Sequence, residues 1–309
     1  MLDLTFLSVE QIFGDNRLDI FKNYETECAI TDFAILLGGY VSSIICISYS
    51  SEKNILMKAG FWSTKSYDVC NDVLVVDSHG DRSWHDVARR NGGARPALPY
   101  SSISKISSNV VRGANGIKEI EYGEYPQWVV DENYSSELES AYNNGNMKTT
   151  SKNYTTDSVS CSDTDTSFRT RTHTEYEYKG NKYIRFVGDS NSEVKFLSDG
   201  RKIKTGQVYW VRVEPITWLV DEKNDIALSK YILFSGVQFK NRSDYKGNFE
   251  NTDIKQFMDK YFSKEIITMN NILTTSPTRN SSNDIDSIFE EAINRMNEIT
   301  SAAKTKVLK

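Results

Sequence analysis

An α+β fold with long irregular loops is expected for this chain, on three observations. Residues 208–220, VYWVRVEPITWLV, alternate apolar and polar side chains as a half-buried strand does. Shorter strand-like runs bounded by turn residues surround it, at 73–76, 176–187 and 228–237. Two other stretches step at the helical period instead. Residues 253–262 place Ile254, Phe257, Met258, Tyr261 and Phe262 on one face, and 285–303 form a final amphipathic helix.

Composition narrows the class. At 309 residues with 39% hydrophobic content, the chain can bury a large core. The net charge of −5 leaves no basic face, so nucleic acid is not an expected partner. The cysteines are Cys28, Cys46, Cys70 and Cys161, with no CxxC and no zinc spacing. Cys28 and Cys46 sit among apolar residues and read as buried thiols, and structural disulfides are not expected. The N-terminus, MLDLTFLSVEQIF, lacks a basic n-region and a long apolar run, so no signal peptide is expected and synthesis is cytoplasmic. No segment reaches the roughly 18 apolar residues of a membrane span.

Taken in order, Ser8 and Gln11 form a capping box before Ile12 and Phe13. Gly14-Asp15-Asn16 breaks the chain, and Leu18, Ile20, Phe21 and Tyr24 give a second short helical face. Residues 31–39 read as a buried segment ending on a glycine turn. Residues 41–49, 61–62 and 73–76 suit strands. Residues 102–116 read as a connection, 118–128 as a strand with Ile120 and Tyr122 alternating, and 136–142 as a short helix. The Asn, Ser, Thr and Asp of 143–174 suggest a long irregular excursion. A hairpin turning at Gly180-Asn181 and a turn at Asp199-Gly200 follow. The expected organisation is one domain over 1–267, a linker over 268–283 and a C-terminal helix over 284–309. The helix carries a seam of Ile285, Phe289, Ala292, Met296, Ile299 and Ala303, through which the chain could self-associate.

Residues 60–100 hold the candidate site. Apolar anchors at Phe61-Trp62 and 73–76, and a rigid close at Gly92-Gly93-Ala94-Arg95-Pro96, bracket a run rich in Tyr, Ser, Asn, Asp, Trp and His. Such side chains make adaptable recognition surfaces, and they also make ordinary polar loops. Tyr67, Asp68, Asn71, Asp72, His79, Asp81, Trp84, His85 and Arg90 are expected to project from one exposed face as ligand contacts. Arg95 and Pro96 are expected to be scaffold. His79 and His85 with Asp77, Asp81 and Asp86 are types that bind metals, but solvated loop polars look the same, and no metal or cofactor is expected. Glu214, Asp221 and Glu222 could be paired carboxylates and are read as surface charges. No Ser/His/Asp order or P-loop stands out, so no catalytic residue is assigned.

Several segments resemble a family of bacterial and phage domains with a C-type-lectin-like fold. YGEYPQ at 122–127, VEPITWLVDEKNDIALSKYILFSGVQF at 213–239 and DIKQFMDKYFSKEII at 253–267 resemble its first half. TDFAILLGGY at 31–40, GFWSTKS at 60–66 and GGARPAL at 92–98 resemble its second half. The order is reversed here, as in a circular permutation, which surface termini make tolerable. The same fold carries formylglycine-generating enzymes and the variable proteins of diversity-generating retroelements. The resemblance implies a non-enzymatic module that displays residues 60–100 to a protein or glycan on a cell or particle surface. A phage or prophage virion or host-recognition setting is implied with it. A formylglycine-type oxidoreductase, which would need paired reactive cysteines, and a structural virion assembly protein are the alternatives.

Overall fold

The computed structural model describes residues 2–22, 26–42, 59–67, 72–113, 116–157, 170–188, 195–240 and 248–267. The chain divides into two compact units, Met1–Asn271 and Ile272–Lys309, and the described residues all belong to the first. The expected linker 268–283, the helix 284–309 with its seam, and most of 41–49 lie outside the described residues.

In chain order the elements are α1 (Val9–Phe13), β1 (Cys28–Ala29), α2 (Asp32–Leu36), β2 (Ala59–Gly60), β3 (Trp62–Tyr67), β4 (Asp72–Val76), β5 (Arg82–Asp86) and β6 (Ala97–Pro99). There follow β7 (Ser108–Arg112), β8 (Lys118–Val129), α3 (Glu132–Asn143), β9 (Lys148–Asp157), β10 (Thr170–Tyr178), β11 (Asn181–Val187), β12 (Val208–Asp221) and β13 (Ile226–Ser229). The last are α4 (Asp253–Phe257), a π-helical turn over Met258–Phe262, and α5 (Ser263–Glu265). The fold is α+β.

Strand β12 is the axis of an eight-stranded antiparallel sheet. Along one edge it pairs with β8, from Val211↔Val129 to Val220↔Lys118. Its other edge is shared by β11, opposite Val208–Arg212, and β13, opposite Trp218–Asp221. Pro215 has no N–H to give the ladder, and the register shifts just beyond it. Gln127 Nε2 donates to the Glu214 and Pro215 carbonyls at 3.0 and 2.9 Å and so satisfies two acceptors beside this irregularity. Trp62, Trp210 and Trp218, all in strands, are fully buried. The Trp218 indole donates to the Tyr122 carbonyl and that of Trp210 to Glu139, so neither buried N–H is wasted.

The N-terminal third is stitched to the same sheet. Strand β6 pairs with β13, Thr31 and Ala29 exchange backbone bonds with Ile232, and Ala94 exchanges them with Leu233 and Phe234. Strands β3, β4 and β5 form a separate three-stranded sheet joined through Gly93, whose N–H bonds to Phe61 and whose carbonyl accepts from Ser63. A Cβ at Gly93 would lie 2.6 Å from both the Phe61 carbonyl and Ile232 Cγ2, so only glycine fits that crossing.

Several local expectations hold. Both reciprocal bonds of the Ser8–Gln11 capping box are present, and residues 31–39 form buried α2 capped by Thr31. Others need correction. Residues 143–174 are not an irregular excursion, because β9 and β10 occupy their described part. The 102–116 connection contains β7. The β10–β11 turn is one residue earlier than expected, at Lys179-Gly180, where both residues have positive φ as a two-residue hairpin demands. Helix 253–262 changes to a π-helical turn at Met258.

Trp218→Ala is expected to cost about 3–5 kcal/mol. Gly93→Ala should cost about 1–3 kcal/mol, because a methyl is forced against backbone. Urea denaturation of the two variants measures both. A Trp218→Ala midpoint equal to wild type would contradict the core assignment.

Candidate ligand-binding surface

The candidate residues sit on and around the β4–β5 hairpin. Direct pairing sets Asp72 opposite Asp86, Leu74 opposite Trp84 and Val76 opposite Arg82 on one face. Val73 with His85 and Val75 with Ser83 lie on the other. The turn between the strands is fixed by Asp77, whose Oδ1 accepts from the backbone N–H of His79 at 2.8 Å and of Asp81 at 3.0 Å. The Thr26 hydroxyl donates to the Gly80 carbonyl and ties this turn to the body of the protein.

The outer face is the exposed one. Trp84 is 45% exposed in the middle of its strand, with the Arg82 guanidinium 5.6 Å from its ring centre. Leu74 beneath it is buried. Asp72 and Asp86 face each other directly across the strands, a like-charge pairing that costs a few tenths to about 1 kcal/mol. His79 and Asp81 are exposed at the turn end. Asp72, His79, Asp81 and Trp84 are thus available to a ligand.

Two expected contacts belong elsewhere. His85 faces inward, its ring 4.5 Å from that of Phe61 and its Nε2 3.0 Å from Asn91 Oδ1. Burial lowers its pKa, which keeps the ring neutral near pH 7. Its inward contacts set it apart from the exposed His79 on the turn. Arg90 is nearly buried and makes a salt bridge to Asp157 at the end of β9, so it ties the hairpin's exit to the large sheet. Asp68 and Asn71 lie outside the described residues, as does the Tyr67 side chain. Asp221, read as a surface charge, is buried and accepts from Asn224 and from the Asp19 backbone. Arg82 and Asp86 were not among the expected contacts. The alternation of RSWHD beside DVLVV carries that signal, since a strand period of two separates Arg82, Trp84 and Asp86 from Ser83 and His85. No protein-family model, curated protein or solved structure matches this chain.

A second group of titratable side chains lies inside the large sheet. Glu265 on α5 accepts from the Thr155 backbone N–H at 2.7 Å, while its other oxygen has no hydrogen-bond partner among the described residues. Lys152 faces it, and Tyr154 donates to Glu175. Burial pushes the Glu265 carboxyl up to about 7, and that of Asp32 up to about 6 despite three hydrogen bonds from Val129 and Ser198. Both bind protons more tightly folded than unfolded. Their contribution is complete below the unfolded values of 4.5 and 3.8, and is lost as pH rises through about 7 and about 6. His173 opposes them. Burial against Phe33 and Phe186 lowers it to about 4, so its contribution is complete above 6.5 and lost as pH falls.

Glu265→Gln removes one of these groups. Between pH 5 and pH 8 the wild type should lose about 2–3 kcal/mol more stability than the variant. Urea titrations at the two pH values measure this difference, and parallel slopes would exclude Glu265 as the titrating group.

Proposed function

We propose that this chain is a non-enzymatic recognition module of C-type-lectin-like fold. It presents the outer face of β4–β5 to a protein or glycan on a cell or particle surface, in a phage or prophage virion or host-recognition setting. The observation that carries the reading is Trp84. A half-exposed tryptophan on a strand whose reverse face is locked into the core is a rigid aromatic anchor, the type that dominates binding energy at interfaces. Arg82 beside it offers a planar fork of donors, and Asp72 and Asp86 offer acceptors. Stacking on a sugar or aromatic ring, with polar groups at both ends, is the mode these residues suit.

The fold assignment draws support from the packing of the resembling segments. Residues 31–40, 60–66, 92–98, 122–127 and 213–239 all contribute side chains to one continuous core, as a permuted single domain requires. The oxidoreductase alternative gains nothing from Cys28. It is buried, and desolvation pushes its thiol up to about 11, away from the reactive thiolate. Cys46, Cys70 and Cys161 lie outside the described residues. Among the described residues no helix is long and apolar enough to cross a membrane.

Binding to arrayed glycans and to purified bacterial surface proteins tests the proposal. Trp84→Ala and Arg82→Ala should change stability by about 1 kcal/mol or less. Each should weaken binding by about tenfold or more. Arg90→Ala should do the reverse and destabilise the fold first. Ligand affinity indifferent to both outer-face substitutions would sink the reading.

A further inference from the structure

Arg95 is a fully buried cation whose terminal nitrogens make no hydrogen bond among the described residues. Its side chain is 0% exposed. Nε donates to the Ser229 carbonyl at 3.0 Å, and the two terminal nitrogens, Nη1 and Nη2, have no hydrogen-bond partner among the described residues. We infer that Arg95 is an enclosed binding site for a small monovalent anion, either a halide or a carboxylate the size of formate or acetate.

The surroundings lead to that class. The guanidinium lies 4.8 Å from the Trp62 ring centre and 6.0 Å from that of Phe21. Ring faces attract a cation but accept no full hydrogen bond, so they answer part of the charge and none of the remaining donors. Cys28 is close enough for the Arg95 charge to act on its thiol, yet burial keeps that thiol neutral at ordinary pH. Glu27, next to Cys28, acts on the same thiol and has an interaction of its own, and two further carboxylates nearby are engaged elsewhere. Asp19, on the turn that carries Phe21, pairs with Lys22, and Asp221 holds Asn224 and the Asp19 backbone.

Arginine keeps its charge at any working pH, so the protein cannot relieve the cost by deprotonation. Internal water would take the hydrogen bonds without neutralising the cation. A small anion does both, and the guanidinium fork is shaped for one. The site sits in residues 92–97, which join the hairpin sheet to the large sheet, so its occupancy should stiffen that junction. It is independent of whether the outer face of β4–β5 binds a ligand.

The test uses the full-length protein at fixed ionic strength. Sodium gluconate, too large to be enclosed, is replaced stepwise by chloride, bromide, acetate or formate while thermal unfolding is followed. The expected result is a rise in Tm that becomes logarithmic above the dissociation constant, about 3 °C for each tenfold rise in anion. In a Trp84→Phe protein the remaining tryptophans are all buried. Bromide or iodide should then quench Trp62 saturably, with a midpoint near the concentration at which Tm begins to climb. Bromide-soaked crystals should give an anomalous peak beside Nη1 and Nη2. A response to halides alone assigns the site to halide, and a response to formate or acetate alone assigns it to carboxylate. Melting that does not distinguish these anions from gluconate, or bromide peaks confined to the surface, would overturn the inference. Arg95→Met should abolish the anion-specific responses, and the wild-type arms decide the matter even if that variant fails to fold.

Discussion

The backbone crossing at residues 92–97 is the constraint on which the arrangement of the two sheets depends. Within six residues the chain bonds to both. Gly93 exchanges hydrogen bonds with Phe61 and Ser63 of the hairpin sheet, Ala94 with Leu233 and Phe234, and Pro96 accepts from Ser229. Close approach from both sides leaves no room for a side chain at Gly93. Two residues on, the fully buried Arg95 fills the junction with a cation over Trp62. A larger residue at 93 would push the sheets apart, and with them the hairpin whose outer face carries Trp84.

Burial of polar groups is unevenly shared around this junction. Most buried charges are answered locally, as Lys230 is by Glu119 at 3.0 Å and Asp32 by three donors. Two places are not. One is Arg95, and the other is the Lys152–Glu265–Tyr125 group, where an ammonium, a carboxyl oxygen and a phenol are all buried without partners among the described residues. The second group has a remedy the first lacks. Glu265 can take up a proton and go neutral, which its raised pKa expresses, whereas a guanidinium has no such route. That difference is why the two sites call for different experiments.

Much of the fold was legible where burial is one-sided. Strand β12, the Ser8 capping box, the burial of 31–39 and that of Trp62, Trp210 and Trp218 all follow from apolar periodicity or a specific cap, though the helix at Asp32–Leu36 does not. Strand β9, KTTSKNYTTD, was not legible. It lies at the end of the sheet order, is mostly exposed or half-exposed, and gets its stability from backbone pairing with β10. Polar residues on both faces leave no period to read. Asp221 was misread for a related reason. A carboxylate before a turn is usually solvated, and only the folded chain brings the Asp19 N–H from across the sequence to it.

The hairpin separates stability from recognition by parity alone. Successive residues of β5 alternate between the core and solvent, so His85 is pinned between Phe61 and Asn91 while Trp84, one residue away, is held only by its neighbours on the outer face. Composition could nominate the stretch but could not sort it, because Trp and His are equally suited to a surface and to a core edge. Only the register, fixed by the pairing of 72–76 with 82–86, assigns each residue its side. A one-residue slip would carry His85 and Ser83 outward and bury Arg82 and Trp84. Burial opposes that slip, since it would set the Arg82 guanidinium where Ser83 and His85 now pack.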